Sequence, residues 1–139
     1  MLSMKTKYGL KALSYLAKQK VNEPILISEI SESENISKKF LESILLTLKK
    51  NGILASKKGK GGGYYLMKKP KEIKISTLIR ILEGPIAMLP CVSLNYYEKC
   101  DDCISEERCS LNRLMVEVRD NTLKILENKT LEDFHCGTQ

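Results

Sequence analysis

Four cysteines, Cys91, Cys100, Cys103 and Cys109, fall in one short stretch, PCVSLNYYEKCDDCISEERCSLNR. Cys100-x2-Cys103 has the spacing of a metal knuckle, and Cys103-x5-Cys109 brings a third thiol within reach of the same point. Thiolates are soft donors, so such a set suits a tetrahedral zinc or an iron–sulfur cluster, and spacing alone does not separate the two. A thiol redox switch is the other chemistry open to it. No disulfide framework is expected, because the chain reads as cytoplasmic. Lys5, Lys7 and Lys11 interrupt any signal-peptide core, and no apolar run reaches the length of a membrane span. His135 and Cys136 lie near the C-terminus and read as a tail without a metal role.

Catalysis is not expected. The chain has one histidine, located in that tail, and no clustered acid–base pair. The Cys-x2-Cys does not open a helix inside a βαβ pattern, as a thioredoxin-like site would. No catalytic residue and no small-molecule substrate are assigned.

The elements around the cysteines point elsewhere. The 139 residues carry a net charge of +6, and the charge is unevenly placed. Ten lysines and one acid, Glu42, lie between Ser37 and Lys71, whereas acids outnumber bases from Glu98 to Asp133. One end is built for a polyanion. Hydrophobic content is 42% with 6% aromatics and no Trp, a thin core that favours burial against a second copy.

The segment TKYGLKALSYLAKQK places Tyr8, Ala12, Leu13 and Leu16 on one helical face. PILIS predicts a short strand ending at Ser28, the expected cap of a helix over 29–34. Ser37 caps a second helix running to Lys50, and Asn51-Gly52 ends it. Leu41, Ile44, Leu45 and Leu48 form the buried stripe, with Lys38, Lys39, Glu42, Ser43 and Thr47 opposite. Helix, tight turn and helix with a polar outer face is the helix-turn-helix pattern.

Next come ILASKK and YYLMKK, joined by GKGGG. A phosphate loop would need Gly-Lys-Ser/Thr opening a helix; these glycines run into a strand signal instead. The stretch therefore predicts a β-hairpin wing whose tip carries Lys57, Lys58 and Lys60. Its glycines let backbone approach a sugar-phosphate edge, and its lysines bind by counterion release. IKISTLIRILEGP predicts a helix capped by Ser76 and stopped at Gly84-Pro85.

Beyond the cysteines, Leu111, Met115, Val118, Thr122 and Ile125 are spaced 4, 3, 4, 3, with Leu114 widening the face. That heptad seam predicts a long helix pairing with its copy in a homodimer, and TLEDF a capped turn packing on the partner. The expected fold is mainly α with a small β-hairpin wing. Its organisation is a DNA-binding domain over 1–84, a cysteine-rich loop over 85–110, and a dimerisation helix with tail over 111–139.

KYGLKALSYLA, ISKKFLESILLTLKKNGIL, GKGGGYYL, LEGP and the cysteine loop ahead of LNRLMVEV occur in that order. With them the chain resembles the IscR/NsrR/CymR family of winged-helix transcription regulators over nearly its whole length. The resemblance implies a dimer on palindromic double-stranded DNA. It also implies, as in many members, a 2Fe–2S or 4Fe–4S cluster sensing redox state, nitric oxide or iron–sulfur status. The family's three cluster cysteines map to Cys91, Cys103 and Cys109, leaving Cys100 as an extra thiol. One subgroup's histidine ligand is replaced here by Asn112, and the Asp ligand of the nitric oxide sensors falls where Lys7-Tyr8 stand. An all-cysteine site completed by Cys100 is the resulting expectation, with zinc the lesser alternative.

The resemblance also places base-contacting positions at Lys39, Phe40, Glu42 and Ser43, beside Ser37 and Lys38. Glu42 is suited to accept from cytosine N4. In the wing it implies contacts from Lys57, Lys58, Lys60, Gly61, Gly62 and Tyr64. Lys58 stands where the family often has Arg, so the bidentate fork is lost.

Overall fold

The computed structural model describes residues 2–134. Four helices and a hairpin build the first part: α1 (Met4–Ala17), α2 (Ile27–Glu34), α3 (Lys38–Lys50), β1 (Leu54–Lys57), β2 (Gly63–Leu66) and α4 (Ile75–Leu82). A loop containing the 3-10 turn Pro90–Val92 leads to α5 (Ser110–Glu127), and a final turn, Leu131–Asp133, follows. His135 and Cys136 lie outside the described residues.

Local chemistry sets most boundaries. The Ser3 hydroxyl accepts from the amide of Thr6 to start α1, and Ser37 accepts from the amide of Phe40 at 3.2 Å to start α3. Asn35 ends α2 in the left-handed region, and Gly52 does the same after α3. The predicted stripe is the centre of the core: Leu41, Ile44, Leu45 and Leu48 are completely buried. Each contributes about 1.5–3 kcal/mol of apolar burial. Gly9 lets α1 approach α4 and α3, since a Cβ there would sit 2.6 Å from a methyl of Leu82 and 3.3 Å from Ile44.

Two expected caps do not form. Leu26, not Ser28, occupies the cap position of α2, which begins at Ile27. The expected PILIS strand shrinks to one bridge, Ile25 with Tyr64, and the chain turns into the helix directly after it. Lys74, not Ser76, precedes α4, and Ser76 is buried inside that helix. Lys74 is held extended by a bridge to Thr130, so the helix starts at the next residue.

That bridge also returns the chain's end to the first domain. The amide of Ile75 donates to Lys129 O and that of Leu131 to Ile73 O, both at 2.9 Å. Leu131 is fully buried in the same core as Leu13 and Leu78. The TLEDF turn, closed by a reciprocal Thr130–Asp133 cap, packs on its own α1.

The wing is the predicted antiparallel hairpin, with Leu54 opposite Leu66 and Lys57 opposite Gly63. Gly59 and Gly61 have φ of 88° and 76°, which the tight tip requires. Gly62 and Gly63 serve a different purpose. A Cβ on Gly62 would lie 2.2 Å from Lys57 O, and one on Gly63 2.3 Å from Ile25 O. Part of the glycine run thus serves the wing's own packing.

Candidate nucleic-acid interface and cysteine pocket

The outer face of α3 and the tip of the wing are both basic and exposed. Ser37, Lys38, Lys39, Glu42 and Ser43 are exposed on α3, as are Lys57, Lys58, Lys60 and Gly61 on the wing. Among the described residues, no salt bridge engages these lysines or Glu42, so their charge is free for a partner. The Ser43 hydroxyl donates to Phe40 O at 2.8 Å, which leaves its oxygen as an acceptor.

Three residues of the expected interface serve the scaffold. Phe40 is half-buried and meets Tyr8 edge-on, ring centroids 5.7 Å apart, so it fixes α3 against α1. Lys11 lies over the Tyr8 ring and donates to Glu34 O, which adds α2 to the same joint. Gly62 is buried beneath the wing tip, and Tyr64 is half-buried against the core with its backbone committed to Ile25.

The four cysteines of the loop line one pocket of ≈ 470 Å³, bordered also by Leu89, Ile104 and Leu111. Cys91 is buried; Cys100, Cys103 and Cys109 are half-exposed, and all four are free thiols. Cys109 occupies the cap position of α5, its sulfur accepting from the amide of Asn112. The Asn112 side-chain amide donates to Cys91 Sγ at 3.4 Å, so one residue ties both sulfurs to the helix start. Hydrogen bonding with Cys91, burial and the neighbouring Asp102 and Cys103 push the Cys100 thiol up from its ordinary value. Tyr97 donates to Glu106 across the pocket's outer rim, and this bond holds its phenol at about 12.

As a donor set the pocket suits a soft metal or an iron–sulfur cluster: all four cysteines line it and none is spent in a disulfide. Among the described residues no three His, Cys, Asp or Glu side chains already stand close enough together to hold an ion.

Helix α5 carries two faces. At 3.6 residues per turn, Asn112, Arg119, Leu123 and Leu126 share the side toward the chain's own domain. Leu123 is buried there and Leu126 packs on the core. Arg119 donates to Val92 O at 2.8 Å, clamping the turn that carries Cys91 to the middle of α5. The heptad seam lies to one side of these. Leu111, Leu114 and Ile125 are 52%, 52% and 63% exposed, with Met115, Val118 and Thr122 half-buried between them. Val118 and Thr122 border an apolar groove of ≈ 620 Å³ shared with Ile86 and Met88.

Asn112 stood out in the sequence only as the position where a histidine ligand was absent. Arg119 carried no signal, because its partner is a backbone carbonyl.

A helix-turn-helix followed by a lysine-tipped hairpin, with the third helix exposing its polar face, defines a winged-helix DNA-binding protein. A family model described as Rrf2, iron-dependent transcriptional regulator, matches residues 2–136. The chain belongs to this Rrf2 family of transcriptional regulators. It is 43% identical over 136 residues to an rrf2-like HTH-type transcriptional regulator of Rhodobacter capsulatus, covering 96% of this chain and 91% of that one. Its fold is similar to that of CymR (YrzC), the global cysteine regulator of B. subtilis, with a TM-score of 0.78 and 31% identity. That match covers 100% of this chain and 98% of CymR. It is also similar to T. potens IscR, with a TM-score of 0.72 and 28% identity over 96% of this chain and 84% of that one. No helix among the described residues is long and apolar enough to cross a membrane. The family is one of regulators and not of enzymes.

Proposed function

We propose that the chain is a cytoplasmic homodimeric repressor of palindromic promoters, controlled by an iron–sulfur cluster held by Cys91, Cys100, Cys103 and Cys109. Residues 1–84 bind DNA, 85–110 sense, and 111–139 dimerise. The observation that carries the reading is that all four loop cysteines line one pocket fastened to α5.

On DNA, the exposed face of α3 enters the major groove, where Lys39, Glu42 and Ser43 reach base edges and Ser37 and Lys38 lie nearest the backbone. Lys57, Lys58 and Lys60 neutralise phosphates beside it, and Gly61 allows close approach. The second copy meets the chain through Leu111, Leu114, Met115, Val118, Thr122 and Ile125. The two α3 helices must then sit about 34 Å apart to meet successive grooves. When bound, the cluster supplies reversible electron transfer and reactivity toward nitric oxide. The chain's own parts carry the consequence: Asn112 links the sulfurs to the start of α5, and Arg119 links Val92 to its middle. A shift of the cysteine loop therefore turns α5 against its domain and alters the spacing of the reading helices.

A second reading keeps the regulator and replaces the cluster with zinc or a thiol switch. It is favoured by the sulfurs' standing apart from coordinating geometry and by the similarity to CymR, a global cysteine regulator. The experiment is the visible spectrum of protein purified without oxygen, with iron, sulfide and zinc assayed on the same sample. A brown protein supports the cluster, and a colourless protein with stoichiometric zinc overturns it. Loss of metal in Cys100→Ala tests the fourth ligand.

A further inference from the structure

The exposed arc of α3 is not uniformly polar. Leu46 is 45% exposed there, whereas its neighbour Leu45 is completely buried. At 3.6 residues per turn it lies about 20° around the helix from Lys39 and about 160° from Leu48 in the buried stripe. Lys39, Glu42, Ser43 and Leu46 follow at i, i+3, i+4 and i+7, so they share one face, and Lys50 is exposed on the same side. A single exposed leucine is ordinary in itself. The position of this one is not, because core packing cannot use a side chain on the far side of its helix. The side chains around it are charged or hydrogen-bonding. An apolar protein surface docked over Leu46 would bury Lys39, Lys50 and Glu42 without partners, which is costly. A major groove flanked by phosphates leaves those lysines satisfied. It presents donors, acceptors and one apolar group, the C5 methyl of thymine. Lysine, glutamate and serine address the first two and leave the third unread.

We infer that Leu46 is the residue of α3 that recognises thymine, seating its side chain on the C5 methyl of one base in each half-site. The inference rests on the proposed placement of α3 in the major groove. Along the helix axis Leu46 is about 6 Å from Glu42 and about 4.5 Å from Ser43, within two base-pair steps of about 3.4 Å each. The contacted thymine therefore belongs within two base pairs of the pair that Glu42 reads. The contact removes two apolar groups from water and neutralises no phosphate, so it adds sequence preference without adding salt dependence.

The test uses the full chain and a library of random duplexes free of methylated cytosine, so thymine is the one source of the methyl. Sequences enriched by the parent are rebuilt with each thymine in turn replaced by deoxyuridine. That removes the methyl and leaves every hydrogen-bonding edge intact. A single uracil at the contacted position should weaken the parent's binding about fourfold, the worth of one buried methyl-sized group. Leu46→Ala should bind the thymine duplex more weakly than the parent, make no distinction between thymine and uracil there, and keep the parent's affinity for an unrelated duplex. Alanine is the strongest helix former, so the variant's melting and sedimentation should match the parent's. The inference is overturned if no uracil weakens the parent, or if Leu46→Ala keeps the parent's uracil penalty. A changed assembly state in the variant also overturns it, by placing Leu46 between copies. Enrichment of no sequence at all would instead remove the reading of the chain as a sequence-specific regulator, and the inference with it.

Discussion

Ile25 and Tyr64 exchange two backbone hydrogen bonds, each of 2.8 Å, which staple the wing to the segment that enters the helix-turn-helix. The two parts of the proposed DNA-binding surface are thereby tied together. The staple depends on Gly63, whose φ is 141° and whose missing Cβ leaves room for Ile25 O. Gly63→Ala should cost about 1–3 kcal/mol and lower the thermal midpoint. Gly59→Ala, strained in φ but facing open space, should cost less. Equal melting of both variants and the parent would remove this account of the glycines.

In the proposed complex the wing lysines act through charge alone. Replacing Lys57, Lys58 or Lys60 by Ala should lower the slope of log affinity against log salt by about 1 for every phosphate left without its lysine. Weakening should be similar on specific and unrelated duplexes. Anisotropy titrations across a salt series read this directly, and unchanged slopes in all three would place the wing away from the backbone.

The two faces of α5 should separate under mutation. Leu114→Glu and Ile125→Glu, on the open face, should leave the fold intact and shift sedimentation toward the monomer. Leu123→Ala, on the closed face, should cost about 2–5 kcal/mol of stability with the assembly state retained. An open-face double variant that still sediments as a dimer would assign the seam another role.

Tyr97 gives a pH signature. Its phenol, ordinarily near 10.0, is held at about 12 by the hydrogen bond to Glu106. The folded value lies above the unfolded one, so the bond's contribution is complete below about pH 10. It is lost as pH rises toward about 12. Tyrosinate absorbance of the parent minus Tyr97→Phe should show this late titration, and Glu106→Gln should move it back down. A Tyr97 that titrates with the other tyrosines in the parent would show that the rim contact is absent in solution.

What could be read from the chain followed what is local. The α3 stripe, the Ser37 cap and the hairpin at the glycine run depend on neighbours a few residues apart, and each stands where the sequence places it. Ser28 and Ser76 look equally good as caps, but the bridges Ile25–Tyr64 and Lys74–Thr130 decide where α2 and α4 begin, and no local pattern reports them. Likewise the heptad spacing picks out the open seam of α5. Leu123 and Arg119 belong to a face defined only by the loop and core beneath it. The cysteines were legible as a group by spacing, whereas the pocket they line depends on how the intervening loop folds back.

The burial of Leu131 has a consequence for how the protein is made. The DNA-binding domain is encoded first, yet the cavity between Ile73, α1 and α4 is filled by a residue near the chain's end. During synthesis the domain cannot complete its interior until the cysteine loop and α5 have left the ribosome. A nascent chain halted before residue 129 would expose that cavity, so DNA-binding competence and possession of the cysteine pocket arrive together.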